Sequence, residues 1–191
     1  MGLDSVELLM EFEKHFNIEI SDKDASEINT VQEMVECISK YLNISDQGES
    51  LKDTIFKKIK AVFHDYKYAD STFSYSDKIF TFLSINEEES WLKISVEINI
   101  PFFIPIPKND RFSKIFKNRF ERLHTDTNSI TVEQFTTAIC AQNHEKLIDK
   151  ENIKSKFEIL ISVIGITTDK LGINIFDIHP SKNFINDLGM S

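Results

Sequence analysis

The chain is poor in the residues that form disulfides, bind zinc or build tight phosphate-binding turns. Its 191 residues include two cysteines, five glycines and four prolines. Cys37 and Cys140 belong to no CxxC pair, and neither forms part of a recognisable Cys/His zinc motif. We therefore expect two structural thiols in a reducing compartment, with neither a disulfide nor a metal site.

The motifs of common catalytic centres are missing as well. The sequence contains no glycine-rich phosphate loop and no nucleophile elbow. The five histidines show no motif spacing, and His144 with Glu145 lacks the second histidine of a zinc helix motif. We interpret Glu87–Glu89 as an exposed acidic run rather than a metal site. The sequence thus predicts no catalytic residue, no metal and no enzymatic activity.

Long hydrophobic runs are also lacking. The longest, Ile94–Pro107, is interrupted by Glu97 and Asn99 and is too short to cross a bilayer. An acidic amphipathic pattern follows Met1 directly, where a secretory signal would carry basic and then apolar residues. The expectation is a cytoplasmic protein without a membrane span.

Acidic residues and phenylalanine are abundant. Sixteen phenylalanines predict a core rich in aromatic side chains. The net charge is −9, and the whole acidic surplus lies in residues 1–50, which hold 12 Asp/Glu and 3 Lys/Arg. Such a region attracts basic protein surfaces and repels phosphate backbones, so we expect protein partners and no nucleic acid. The plainer alternative is that the charge only maintains solubility.

Apolar residues recur at helical spacing through most of the chain. The first helix would have an apolar pattern of Val6, Leu9, Met10, Phe12 and Phe16, with Asp4 or Ser5 as its cap. Capping boxes and glycine positions mark other helix ends, such as Thr30 with Glu33 at a start and Gly172 at a stop. Further helices are expected over 51–64, over 111–123, after a cap at Ser129 or Thr131 and continuing to Leu147, and from about 152.

The middle of the chain is harder to interpret. Alternation of Ile94, Val96, Ile98 and Ile100 has the period of a strand, but the following prolines prevent continuous pairing. We expect an extended packed connector there, after a short helix around 76–83. Residues 108–122 carry a basic face, which leaves three alternatives open: a regulatory or nucleic-acid module, docking on the acidic region of the same chain, or plain solvation.

The two ends of the chain carry complementary halves of one motif. Residues 2–8 read GLDSVEL and residues 187–191 read DLGMS. Placed tail before head, they resemble the DLGxDSLDxVEL signature of the acyl carrier protein family. The runs IEI at 18–20, TVQEMV at 30–35 and FINDLG at 184–189 also follow that family's order. Two unrelated amphipathic helices would explain either end, but not both.

The resemblance implies an all-α, circularly permuted carrier domain made of residues 1–42 and 152–191. Neither piece can bury its apolar residues alone, so the two must pack together. Residues 43–151 would then form an inserted, mostly helical subdomain or connector. The break in family order would lie at the site where the family carries 4′-phosphopantetheine on a serine.

The resemblance also implies that this attachment site is degenerate. Aligning Leu3 and Asp4 with the family's Leu-Asp places Gly2 in the serine position and Ser191 in the preceding aspartate position. Glycine has no hydroxyl and cannot be phosphopantetheinylated, so no cofactor is expected. The alternative is a working acyl carrier bearing 4′-phosphopantetheine on Ser191.

Members of the family present acidic helix residues to basic patches of acyl-processing or carrier-modifying enzymes. The resemblance assigns that role here to five carboxylates: Glu7, Glu11, Glu13, Glu33 and Glu36. The competing interpretation is that each is a solvated position occupied for its helix propensity. The sequence as a whole predicts a non-catalytic, partner-binding carrier-like protein of lipid or polyketide metabolism.

Overall fold

The computed structural model describes residues 3–45, 50–104 and 126–190, with the side chain of Leu3 left out. Within these ranges all regular elements are helical, which confirms the predicted all-α class. The helices are α1 (Leu3–Phe16), α2 (Asp22–Glu27), α3 (Val31–Tyr41), α4 (Leu51–Asp65), α5 (Ile79–Phe82), α6 (Glu88–Glu97), α7 (Val132–Ala141), α8 (His144–Leu147) and α9 (Lys156–Leu171). Two 3₁₀ turns, Thr127–Ser129 and Ile175–Asp177, complete the described elements.

The predicted capping box opens α3. Thr30 accepts a hydrogen bond from the backbone N–H of Glu33, and the Glu33 carboxylate accepts one from the N–H of Thr30. These reciprocal bonds satisfy backbone donors that have no partner inside a helix. The buried apolar residues of α3 are Val31, Met34, Val35 and Ile38.

Helix α9 is the centre of the fold. It begins after a cap at Ser155 and ends at Gly172, whose φ of 68° is in the left-handed region. Every residue from Ile161 to Thr167 is buried, so the helix is covered on nearly all sides. It packs against α1 and α3 from the start of the chain and against α4, α7 and α8 from the middle.

The tail after α9 runs across the start of α3. The carbonyl oxygens of Lys182 and Pro180 accept hydrogen bonds from the backbone N–H groups of Val31 (3.0 Å) and Gln32 (2.8 Å). Those two N–H groups are among the unsatisfied donors of a helix start. The two ends of the described chain are therefore joined by backbone hydrogen bonds as well as by packing.

An aromatic cluster fills the middle of the chain. Phe63 of α4 packs on Trp91 of α6 with ring centroids 6.0 Å apart, and Trp91 packs on Phe135 of α7 at 5.4 Å. Phe135 in turn lies 6.4 Å from Phe176 in the tail. The hydrophobic core is thus continuous from the first helix to the tail, and it is rich in aromatic side chains, as the abundance of phenylalanine indicated.

The extended connector predicted around residues 93–100 is wrong, because Glu88–Glu97 forms α6. Trp91, Ile94 and Ile98 are buried, at the i, i+3 and i+7 spacing of one helical face. Val96, which completed the apparent alternation, is 71% exposed. The strand-like period therefore came from an apolar residue on the solvent side of a helix.

Two helix ends also differ from expectation. Because α1 begins at Leu3, Asp4 and Ser5 lie in its first turn and not at its cap. The helix capped by Thr131 stops at Ala141, and Leu147 belongs to the separate α8. At that break the side-chain amide of Asn143 donates to the carbonyl oxygens of Ile139 (2.9 Å) and Pro101 (2.6 Å), competing with helical hydrogen bonds.

The helix predicted over 111–123, with its basic face, lies outside the described residues. In the part of the chain that the structure does describe, no helix is both long and apolar enough to span a membrane.

Candidate functional site

The end of the tail meets the start of α1 at a small cavity. The cavity encloses about 60 Å³ between α1, α2, α3 and the tail. Its wall includes Ser5 and Leu9 of α1 and Ile185 and Met190 of the tail. The two runs that resemble one signature in sequence are thus brought together in space.

Hydrogen bonds of its own side chains shape the tail loop. The side-chain oxygen of Asn183 accepts from the N–H groups of Ile185 (3.0 Å) and Asn186 (2.8 Å), and Asp187 accepts from the N–H of Asn183 (2.8 Å). Gly189 has a φ of 72°, a conformation that favours glycine. The Asp and Gly of the DLG run therefore have structural roles that turn the chain toward α1.

The resemblance places the family's pantetheine-attachment position directly before α1. Gly2, which takes that position in the alignment, has no hydroxyl. Gly2 and Ser191 both lie outside the described residues. Ser5, the described serine of the first turn of α1, is half-buried in the cavity wall and has an interaction partner.

Two of the five carboxylates predicted to bind partners are engaged within α1 and its surroundings. Glu11 lies 2.9 Å from the Lys170 ammonium, and the hydrogen bond from Lys170 holds the pKa of Glu11 below its ordinary value. Glu13 accepts a hydrogen bond from the backbone N–H of Ile20 at 2.8 Å, which fixes the chain after α1.

The two predicted carboxylates of α3 are also engaged. Hydrogen bonds from the backbone N–H groups of Asn29 and Thr30 lower the pKa of Glu33. The hydrogen bond from Lys156 lowers the pKa of Glu36, which also accepts from Gln32 at 2.7 Å. These roles are structural, and they leave the proposed role in partner binding untested.

Glu7 differs from the other four. It is exposed, and among the described residues it makes no hydrogen bond or ion pair, although its charge helps raise the pKa of Lys170. Of the five predicted positions, Glu7 is therefore the carboxylate most available to another molecule.

The sequence interpretation missed an exposed apolar surface beside Glu7. Val6 and Met10 were assigned to the buried pattern of α1, yet they are 42% and 60% exposed. The buried residues of α1 are Leu8, Phe12 and Phe16. The sequence did contain a signal for this surface, because α1 has more apolar residues than one buried helix face can hold.

The two cysteines match the expectation of structural thiols. Both are free, and burial raises the pKa of each thiol, to about 12 for Cys140. Neither is therefore a thiolate nucleophile at neutral pH. Over the described ranges, no group of three or more His, Cys, Asp or Glu side chains is placed to hold a metal ion.

Comparison with known proteins finds similarity in the first part of the chain. The family described as the phosphopantetheine attachment site matches residues 2–38. The acyl carrier protein of Buchnera aphidicola subsp. Acyrthosiphon pisum (strain Tuc7) is 55% identical over 39 residues, 20% of this chain and 49% of that protein. The acyl carrier proteins of Karelsulcia muelleri (strain GWSS) and Porphyromonas gingivalis (strain ATCC 33277) are 54% and 52% identical over 42 and 41 residues. Each match covers 22% of this chain, and 51% and 53% of the respective relative.

The chain thus spans about half the length of these curated relatives. No solved structure matches it. The match runs from residue 2 to residue 38, within α3, so it covers the helices α1 and α3 on which α9 packs. Over residues 2–38, therefore, this chain is similar to the acyl carrier protein family.

Proposed function

We propose that residues 1–42 and 152–191 form one acyl-carrier-like domain in permuted order, and that the protein is a non-catalytic, partner-binding member of lipid or polyketide metabolism. The observation that carries the domain proposal is the contact between the tail and α3. The carbonyl oxygens of Lys182 and Pro180 accept hydrogen bonds from backbone N–H groups at the start of α3. The last described residue of the tail, Met190, shares a cavity wall with Ser5.

Residues 43–151 are, in this proposal, an inserted helical subdomain. Support comes from their own aromatic cluster around Trp91 and from the way α4, α7 and α8 cover α9. The insert therefore adds to the hydrophobic core beneath the carrier helices.

The partner-binding surface is the exposed side of α1. Val6 and Met10 are one helical turn apart, and Glu7 stands beside them. Exposed apolar residues next to a free carboxylate suit a partner with an apolar pocket edged by basic side chains. That is the chemistry expected of an acyl-processing or carrier-modifying enzyme.

The absence of a hydroxyl at Gly2 supports a protein that binds such enzymes without carrying a pantetheine. Intact mass after incubation with coenzyme A and a broad-specificity phosphopantetheinyl transferase tests this. We expect no added mass on the wild type and added mass on Gly2→Ser, in which the hydroxyl precedes Leu3 and Asp4. Added mass on the wild type that Ser191→Ala removes would instead establish a working carrier with its pantetheine on Ser191.

Binding to the same transferase, without coenzyme A, tests the surface. Met10→Asp and Glu7→Lys should each weaken binding about tenfold, the loss typical of one well-placed interface residue. Glu88→Lys, the same charge reversal on exposed residue 88 of α6, is the matched control and should leave binding unchanged. Equal loss in the control would indicate a general charge effect and no defined surface.

A further inference from the structure

A second and larger cavity borders α9. It encloses about 280 Å³ where α7, α9 and the tail meet, and it shares no lining residue with the cavity beside Met190. Its floor is aliphatic, formed by Ala138, Leu160, Ile164, Ile175 and Ile178. A volume near 300 Å³ with apolar walls is at the lower end of small-molecule pockets.

The charges at the rim are already paired with each other. The Lys52 ammonium forms an ion pair with the Glu133 carboxylate across the mouth. Thr137 donates its hydroxyl to the carbonyl oxygen of Glu133, and the side chain of Gln134 accepts from the N–H of Thr131. A charged ligand would therefore enter an apolar cavity without an unpaired countercharge at the rim, at a high desolvation cost.

His179 offers a ligand one polar group at the rim. Among the described residues its imidazole makes no hydrogen bond, and it is half-buried. Burial and then the charge of Lys182 lower its pKa, against a smaller opposite effect of Asp177. At neutral pH the ring is uncharged, and it can donate or accept one hydrogen bond.

We propose that this cavity binds a neutral amphipathic molecule, with an unbranched apolar chain on the α9 floor and an alcohol, amide or ester-like group at His179. The aliphatic floor favours the chain because burial of each methylene releases apolar surface from water. The paired rim disfavours a carboxylate or phosphate head group. The proposal depends on the α7–α9–tail geometry, and it holds whether or not the protein carries a pantetheine.

Titration of the wild-type protein with 1-butanol, 1-hexanol and 1-octanol, followed by methyl NMR, tests the ligand class. We expect affinity to rise about fourfold for each methylene added, which corresponds to full burial of the chain. Octanoate should bind at least about tenfold more weakly than 1-octanol, because its charge finds no free partner. Affinity independent of chain length, or octanoate binding as well as octanol, would overturn the proposal.

Location is tested with variants of the floor. Ala138→Leu fills the cavity and should reduce octanol binding at least about tenfold. Ala61→Leu, the same change at an exposed position of α4, should bind as the wild type does. Leu160→Phe, at a half-buried position of the wall, gives the same readout if Ala138→Leu does not fold.

A variant of His179 tests the contribution of the polar group separately from that of the apolar floor. His179→Phe should weaken the three alcohols by one common factor and leave the increment per methylene unchanged. Octanol should shift the methyl signals of Ile164 and Ile178 in the wild type. Octanol-induced shifts confined to Leu8 and Met190 would place binding in the smaller cavity and contradict the assignment.

Discussion

Lys170, in the last turn of α9, lies 2.9 Å from the carboxylate of Glu11 on α1. At the first turn of the same helix, Lys156 pairs with Glu36 on α3. The two ends of α9 thus form ion pairs with two different helices of residues 2–38, the family-matched segment. Exposed pairs of this kind contribute little stability, so their main effect is on charge. They neutralise two carboxylates that sequence alone assigned to a partner.

Replacing Lys170 by methionine should raise the pKa of Glu11 towards its ordinary value, because Lys170 supplies the hydrogen bond and the charge that lower it. A carboxyl with a depressed folded pKa stabilises the protein above its unfolded pKa, and this contribution disappears as pH falls through the folded pKa. NMR titration of the Glu11 side chain measures the change. Lys14→Met is the control, since Lys14 has the smallest of the effects on Glu11. An equal rise in that variant would contradict the assignment to Lys170.

The two capping boxes give a matched pair of stability tests. Thr30 opens α3 in the family-matched segment, and Thr131 opens α7 in the middle of the chain. Thr30→Ala and Thr131→Ala should each lower the free energy of unfolding by about 1 kcal/mol. Both should do so in one cooperative transition, because α9 packs on α3 and on α7 in a continuous core.

Urea unfolding followed by circular dichroism and by Trp91 fluorescence measures both variants. Thr54→Ala, at an exposed position inside α4, is the control and should change stability by less than about 0.5 kcal/mol. Two separate transitions, each sensitive to one variant, would show that the middle of the chain unfolds independently.

Features set by neighbouring residues were predictable from the sequence. The Thr30–Glu33 box and the left-handed Gly172 follow from local hydrogen bonding and steric freedom, which a few adjacent residues decide. The all-α class was expected from apolar spacing, and the meeting of the two ends was expected from the resemblance of the two motif halves to one family signature.

Contacts between individual side chains that are distant in the sequence were not predictable from spacing. Glu11 and Glu36 look like solvated helix positions until α9, more than a hundred residues later, brings its lysines to them. Val96 made α6 resemble a strand, because spacing alone cannot tell a buried apolar residue from an exposed one. Nor does spacing reveal the cavity behind α9, which α7 and the tail create together.

Gly165 of α9 is required by close packing. A Cβ at this position would lie 2.3 Å from Nδ1 of His144 and 2.8 Å from the carbonyl oxygen of Ala141. Gly165→Ala should therefore destabilise the protein by about 1–3 kcal/mol, the usual cost of overpacking, despite the better helix propensity of alanine. Chemical denaturation measures the loss.

A second variant separates this clash from backbone strain. In Gly172→Ala the added Cβ has no atom within 4 Å, but the alanine must adopt a φ near 68°. The substitution should therefore lower the free energy of unfolding by about 1–2 kcal/mol. Combined with His144→Ala, Gly165→Ala should cost less than the sum of the single changes, whereas Gly172→Ala should be additive. Additivity at Gly165 would contradict the predicted contact with His144.

His15 makes the fold sensitive to acid. Its ring lies 5.6 Å from that of His144, and its buried Nε2 has no hydrogen-bond partner among the described residues. Burial, and then the charges of Lys150 and His144, lower the pKa of His15 to about 4, with Glu145 acting in the opposite direction. Unfolding returns the ring to its ordinary pKa of about 6.5, so the unfolded state binds the proton first.

Stability should therefore fall as pH decreases from about 6.5 towards about 4, since protons favour the unfolded chain over that interval. His15→Phe fills the same space with a ring that does not titrate, and it should make the free energy of unfolding less dependent on pH. His64→Phe, at a side chain that is 66% exposed, is the matched control and should retain the wild-type profile. Urea unfolding at several pH values measures the stability of all three proteins. An unchanged pH profile in His15→Phe would assign the acid sensitivity to other groups. His179 would then be the next residue to replace, because burial lowers its pKa too.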